Sequence, residues 1–93
     1  MHEMGIASSV LDAVHKELQR YPGQYATKVG LRIGEFAGVD AESLRFCFDV
    51  LVKDWDFAPP ALEIEATHGE ELDLAYIELE SSETKSAAQE VAV

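Results

Sequence analysis

Val29, Leu31 and Ile33 occupy every second position of a stretch from about Ala26 to Phe36, with Lys28, Arg32 and Glu35 mostly on the other side. A period of two sends successive side chains to opposite faces, so this stretch reads as a strand buried on one face only. Such a strand needs neighbours and a covering layer, and the flanking segments change period accordingly. From about Met4 to Arg20, Ala7, Val10, Leu11, Val14, Leu18 and Tyr21 recur at the spacing of one helical face, and Pro22-Gly23 ends the run. Gly34 and Gly38 bracket the strand's exit, where a glycine permits a sharp turn or a close backbone approach. Asp40 suits the N-cap of a second helix through about Lys53, with Leu44, Cys47, Phe48, Leu51 and Val52 as its apolar stripe. Trp55 and Phe57 are placed to cover its end, and Pro59-Pro60 prevents its continuation.

The last apolar segments alternate again. Leu62, Ile64 and Ala66 fall on one face of a strand and Leu72 and Leu74 on one face of the next, which reads as a hairpin. The phase then slips, because Ile77 and Leu79 take odd positions after an even pair. A β-bulge near Ala75-Tyr76 reconciles them. The expected fold is α+β: two helices on one face of a three-stranded mixed sheet, in the order α-β-α-β-β, with a helical crossover if the first two strands are parallel neighbours. Residues 1–80 form the expected domain. Residues 81–93 have little to bury and read as a disordered tail.

The 93 residues suffice for one small core, and 47% hydrophobic content supports a globular chain. No apolar run is long enough to span a membrane, and the N-terminus lacks a signal-peptide pattern, so a cytoplasmic location is expected. A formal net charge of −11 argues against nucleic acid, whose phosphates require clustered Lys and Arg. It favours cations or basic protein surfaces instead. Between Lys53 and Lys85 there is no basic residue, while Asp54, Asp56, Glu63, Glu65, Glu70, Glu71, Asp73, Glu78, Glu80 and Glu83 fall in the interval. A solvated sheet face accounts for much of that run. Cys47 is the sole cysteine and lies in an apolar stretch, so it reads as a structural thiol without a disulfide or catalytic role. His15 reads as a surface residue. Gly34 and Gly38 lack the rest of a phosphate-loop pattern. No nucleophile, base and orienting group form a recognisable set, so an enzyme is not expected.

The opening Met1-His2-Glu3 can offer one metal ion three nitrogens: the Met1 amine, the His2 amide and the His2 imidazole Nδ1. A nitrogen-rich set of this kind suits nickel(II) or copper(II) better than zinc, calcium or magnesium. The amine and imidazole must both be unprotonated, so affinity is expected to fall as pH drops through about 8 to 6. His68 is a further candidate ligand if its turn folds toward the N-terminus.

Three blocks go beyond this terminal motif: Met1-His2-Glu3-Met4-Gly5-Ile6-Ala7, then Val29-Gly30-Leu31-Arg32-Ile33-Gly34-Glu35-Phe36-Ala37-Gly38-Val39-Asp40, then Leu44-Arg45-Phe46-Cys47-Phe48. In this order and spacing they closely resemble the HypA family of hydrogenase nickel-incorporation metallochaperones, over Met1 to about Glu80. The resemblance implies a carrier that binds Ni(II) through Met1, His2 and Glu3 and delivers it to a nickel enzyme, usually a hydrogenase and in some lineages urease. It implies as partners the nickel-delivery GTPase of hydrogenase maturation, contacting Met4, Ile6 and the neighbouring helix surface, and the hydrogenase large-subunit precursor. One departure is large. Family members insert a zinc domain with two Cys-x-x-Cys pairs between the last two strands, where this chain has only Ala66-Thr67-His68-Gly69-Glu70-Glu71. A structural zinc site needs four Cys or His ligands, so none is expected. An alternative function is therefore a metal-independent interaction module that retains the fold.

Overall fold

β1 (Gln24–Gly34) is the centre of the sheet because it alone is buried on both flanks of its alternation. Ala26, Val29, Leu31 and Ile33 are buried toward the helices, while Gly30 and Gly34 are buried on the other side for want of a side chain. The computed structural model describes residues 2–55 and 58–81, and within them the order is α1 (Glu3–Leu18), β1, α2 (Ala41–Leu51), β2 (Ala61–Thr67) and β3 (Leu72–Ser81). The sheet order is β2-β1-β3, with β2 parallel and β3 antiparallel to β1. This is the expected α+β architecture, with α2 as the crossover between parallel neighbours. Each helix is about two residues shorter at its C-terminus than the apolar stripe suggested. Phe57 and residues 82–93 lie outside the described residues.

The expected hairpin does not form. β2 and β3 lie on opposite sides of β1, and residues 68–71 pass over the end of β1 to join them. That connection is held by three amides at the exit of β1: Gly34 N–H donates to the Glu71 carbonyl at 2.7 Å, Glu35 N–H to Thr67 at 2.9 Å and Phe36 N–H to Gly69 at 2.9 Å. Alternation reports which face a residue occupies, not which neighbour its strand takes. Gly34 is required here, since a Cβ would overlap the Gly69 carbonyl, whereas Gly38 makes its turn at φ +74°.

The bulge expected near Ala75-Tyr76 is present, and it has a counterpart. Between β1 and β3 the register shifts once at Thr27 and once at Ala75, one extra residue on each strand, and the two shifts cancel. Thus Ala26 faces Leu79, Val29 faces Ile77, Leu31 faces Leu74 and Ile33 faces Leu72. The Thr27 hydroxyl donates to the Glu78 carbonyl at 3.2 Å, within the interrupted part of the ladder.

The core lies between the sheet and the two helices, with Ala7, Leu11 and Val14 from α1, Leu44, Phe48 and Val52 from α2's end, and Leu62 from β2. Phe48 is 1% exposed, so its truncation to alanine should cost about 3–5 kcal/mol. Asp40 caps α2 as expected: its Oδ1 accepts from Glu42 N–H at 3.0 Å and from Ser43 N–H at 3.3 Å. Cys47 is only half-buried, Tyr21 and Ala66 are exposed, and His15 stacks on Trp55 with ring centroids 4.8 Å apart. On the open face, the Tyr76 hydroxyl donates to Glu63, which also pairs with Lys28 at 3.7 Å.

Candidate metal centre

An α-helix leaves the amides of its first turn without helical acceptors, and α1 starts at the very beginning of this chain. His2 is its N-cap, in extended backbone conformation at φ −88° and ψ 90°, and its carbonyl accepts the Ile6 amide at 3.1 Å. Its side chain makes no capping hydrogen bond. The imidazole is exposed, so one ring nitrogen and the neighbouring amides can turn to a metal without dismantling the helix. Met1, whose amine would complete the chelate, lies outside the described residues.

Glu3 follows in the first turn, and its carboxylate reaches across the surface to the start of α2. The Asp40 N–H donates to Glu3 Oε2 at 3.0 Å, tying the start of α1 to the residue that caps α2. That amide, followed by Glu3's own backbone N–H, holds the carboxyl below its ordinary value of 4.5. The Glu3 carboxylate thus has a structural partner in the fold.

His68 sits on the connection that passes over β1, at the same end of the sheet as the start of β3. Its side chain is 100% exposed and Nδ1 lies 3.8 Å from Glu35 Oε1. Among the described residues there is no group of three or more His, Cys, Asp or Glu side chains able to hold a metal ion. The described side chains alone assemble no metal centre at this end. Met4 is half-exposed on α1, and Ile6 lines a groove beside His2 that also includes Val10, Leu72 and Leu74. Neither the groove nor the Glu3 to Asp40 bond was evident in the residue pattern. Both depend on which elements meet, although a carboxylate so close to the N-terminus and a cap before α2 were each visible separately.

Residues 1–72 match the family model described as "Hydrogenase/urease nickel incorporation, metallochaperone, hypA". Among curated relatives, the hydrogenase maturation factor HypA of Pelodictyon phaeoclathratiforme is 39% identical over 69 residues, covering 74% of this chain and 59% of the relative. The protein of the same name from Methanopyrus kandleri is 38% identical over 69 residues, covering 74% and 49%, and that of Chlorobium phaeobacteroides is 44% identical over 54 residues, covering 58% and 48%. No solved structure matches. The chain belongs to the HypA family of nickel-incorporation metallochaperones, a family of metal carriers. It spans about half to three-fifths of the length of these relatives. Among the described residues, no helix is long and apolar enough to cross a membrane.

Proposed function

We propose that this chain carries nickel(II) as cargo, bound through the Met1 amine, the His2 amide and imidazole, and the Glu3 amide, and hands it over for maturation of a hydrogenase. The observation that carries this reading is His2 standing as the N-cap of α1 with its imidazole exposed and making no cap bond. Membership of a nickel-incorporation family supports the choice of metal. The positive end of the α1 dipole opposes a cation at this position, so binding draws on deprotonated amide nitrogen to offset it. A site balanced in that way releases metal on protonation, which suits a carrier. His68, now leaning toward Glu35, is proposed as a further donor, and its loss should weaken binding less than loss of His2.

The proposed partners are the nickel-delivery GTPase of the maturation system, engaged through Met4, Ile6 and the adjoining surface of α1, and the hydrogenase large-subunit precursor. Residues 1–80 act as the binding domain. Calorimetric titration with nickel tests the reading: one ion should bind per chain, and the site should be lost both after His2→Ala and after an extension ahead of Met1. Affinity retained in both variants would reject it. A pull-down of the GTPase by native chain and by His2→Ala, followed by metal transfer, separates carrier from scaffold: equal docking with lost transfer is expected, and equal transfer would favour the metal-independent module.

A further inference from the structure

β3 is an edge strand, with β1 on one side and no described strand on the other. Once its bulge is allowed for, its side chains sort into two rows. Leu72, Leu74, Ile77 and Leu79 take the helix side, paired with Ile33, Leu31, Val29 and Ala26, while Asp73, Tyr76, Glu78 and Glu80 take the open face. The helix-side row is not fully covered. Between β3 and α1 runs an apolar groove of about 580 Å³ walled by Ile6, Val10, Ala13, Leu31, Leu72 and Leu74, with His2 at one end. Leu72 and Leu74 are 37% and 36% exposed there.

The opposite edge is treated differently. Arg45 of α2 donates from Nη1 to the Leu62 carbonyl of β2 at 2.7 Å, so a side chain already engages that strand's backbone. Among the described residues, no helix side chain makes such a contact with the backbone of residues 72–80.

We propose that the β3 edge and its groove bind an extended segment of a partner protein in which apolar and basic residues alternate. The segment adds to β3 by main-chain hydrogen bonds, its apolar side chains entering the groove and its Lys or Arg side chains lying opposite Asp73, Glu78 and Glu80. Charge selects this occupant over a second copy of the chain. Pairing β3 with itself, leucines inward, sets one acidic row against another, which is destabilising. The nearby cations neutralise the row only in part: Lys28 is engaged by Glu63 at 3.7 Å, and Arg32 pairs with Asp73 at 4.0 Å. A net charge of −11 attracts a basic segment at longer range. The surface exists without nickel and goes beyond the metal-carrier reading.

The test uses the metal-free full chain, labelled with nitrogen-15, and two synthetic peptides of identical composition. One alternates valine and lysine; the other carries the same residues in two separate blocks. The alternating peptide should bind about tenfold more tightly and protect from exchange the β3 amides that point away from β1. Leu74→Lys should weaken it by about tenfold, and so should the surface change Asp73→Lys with Glu78→Lys, which leaves the core untouched. Equal affinity for the two peptides, or protection confined to other elements, would overturn the proposal. So would β3 amides that point away from β1 being already protected in the free chain: independent of concentration this would make residues 82–93 the occupant, and dependent on concentration it would make a second copy the occupant.

Discussion

The carboxylate of Glu3 accepts the backbone N–H of Asp40 at 3.0 Å, joining the first turn of α1 to the cap of α2 across 37 positions of chain. Asp40 in turn accepts the Glu42 and Ser43 amides, so one short relay fixes both helix starts. Glu3→Ala should lower the melting temperature and speed exchange of the Asp40 amide, while Glu3→Gln, which keeps an oxygen acceptor, should recover most of the loss. Because the Glu3 carboxyl is held below 4.5 in the fold, its contribution is complete above that pH and is lost as pH falls through the lowered value. The gap between wild type and Glu3→Ala should therefore close on acidification. A gap that widens toward low pH would contradict this account of Glu3.

Tyr76 and Glu63 provide a second titration with the opposite sign. The Glu63 carboxylate accepts the Tyr76 hydroxyl and raises its pKa to about 12, while Glu63 itself is lowered chiefly by the same bond. The fold gains from this pair below the ordinary tyrosine value of 10, and the gain disappears as pH rises through about 12. Ultraviolet titration should show one tyrosine ionising near 12, and Glu63→Gln should bring it down toward 10.

Gly34→Ala tests the connection over β1. A Cβ at this position meets the Gly69 carbonyl, which is backbone and has three neighbouring hydrogen bonds to lose. Urea unfolding should show a loss of about 1–3 kcal/mol. Gly38→Ala is the comparison, since it meets no atom and is opposed only by its φ of +74°; a loss at Gly34 no greater than at Gly38 would argue against the close approach.

Folding should not depend on zinc. The single cysteine is half-buried in α2, and the described residues gather no three metal-binding side chains. Far-ultraviolet circular dichroism and the melting temperature should be unchanged by a strong chelator, whereas unfolding on chelation would require a structural metal.

The elements themselves were legible in the sequence because each carries its own period: Leu11 and Val14 on α1, Leu44 and Phe48 on α2, and Val29, Leu31 and Ile33 on β1 all stand in the core where their spacing put them. The Ala75 bulge was legible too, since apolar residues on both sides of it reveal the slip. Its partner at Thr27 was not, because only Ala26 precedes the shift in β1 and one small residue defines no phase. The hairpin expectation failed for a related reason: adjacent strands in sequence can pair with each other or with a third, and side-chain alternation is the same in both cases. At the terminal site, His2 could be singled out from its position alone. The engagement of Glu3 by Asp40 could not, since it depends on the starts of two helices meeting in space.

The passage of residues 68–71 over the end of β1 has a bearing on longer members of the family. Thr67 leaves the sheet on one side of Gly34 and Leu72 enters it on the other, so the two anchors are separated by two inter-strand spacings, about 10 Å. Anything inserted between them is held by two spaced tethers rather than swinging from the tip of a hairpin. Such an insert can rock across the line joining its tethers but resists twisting about the strand axis. It would pivot directly above the end of the domain where His2 begins the first helix.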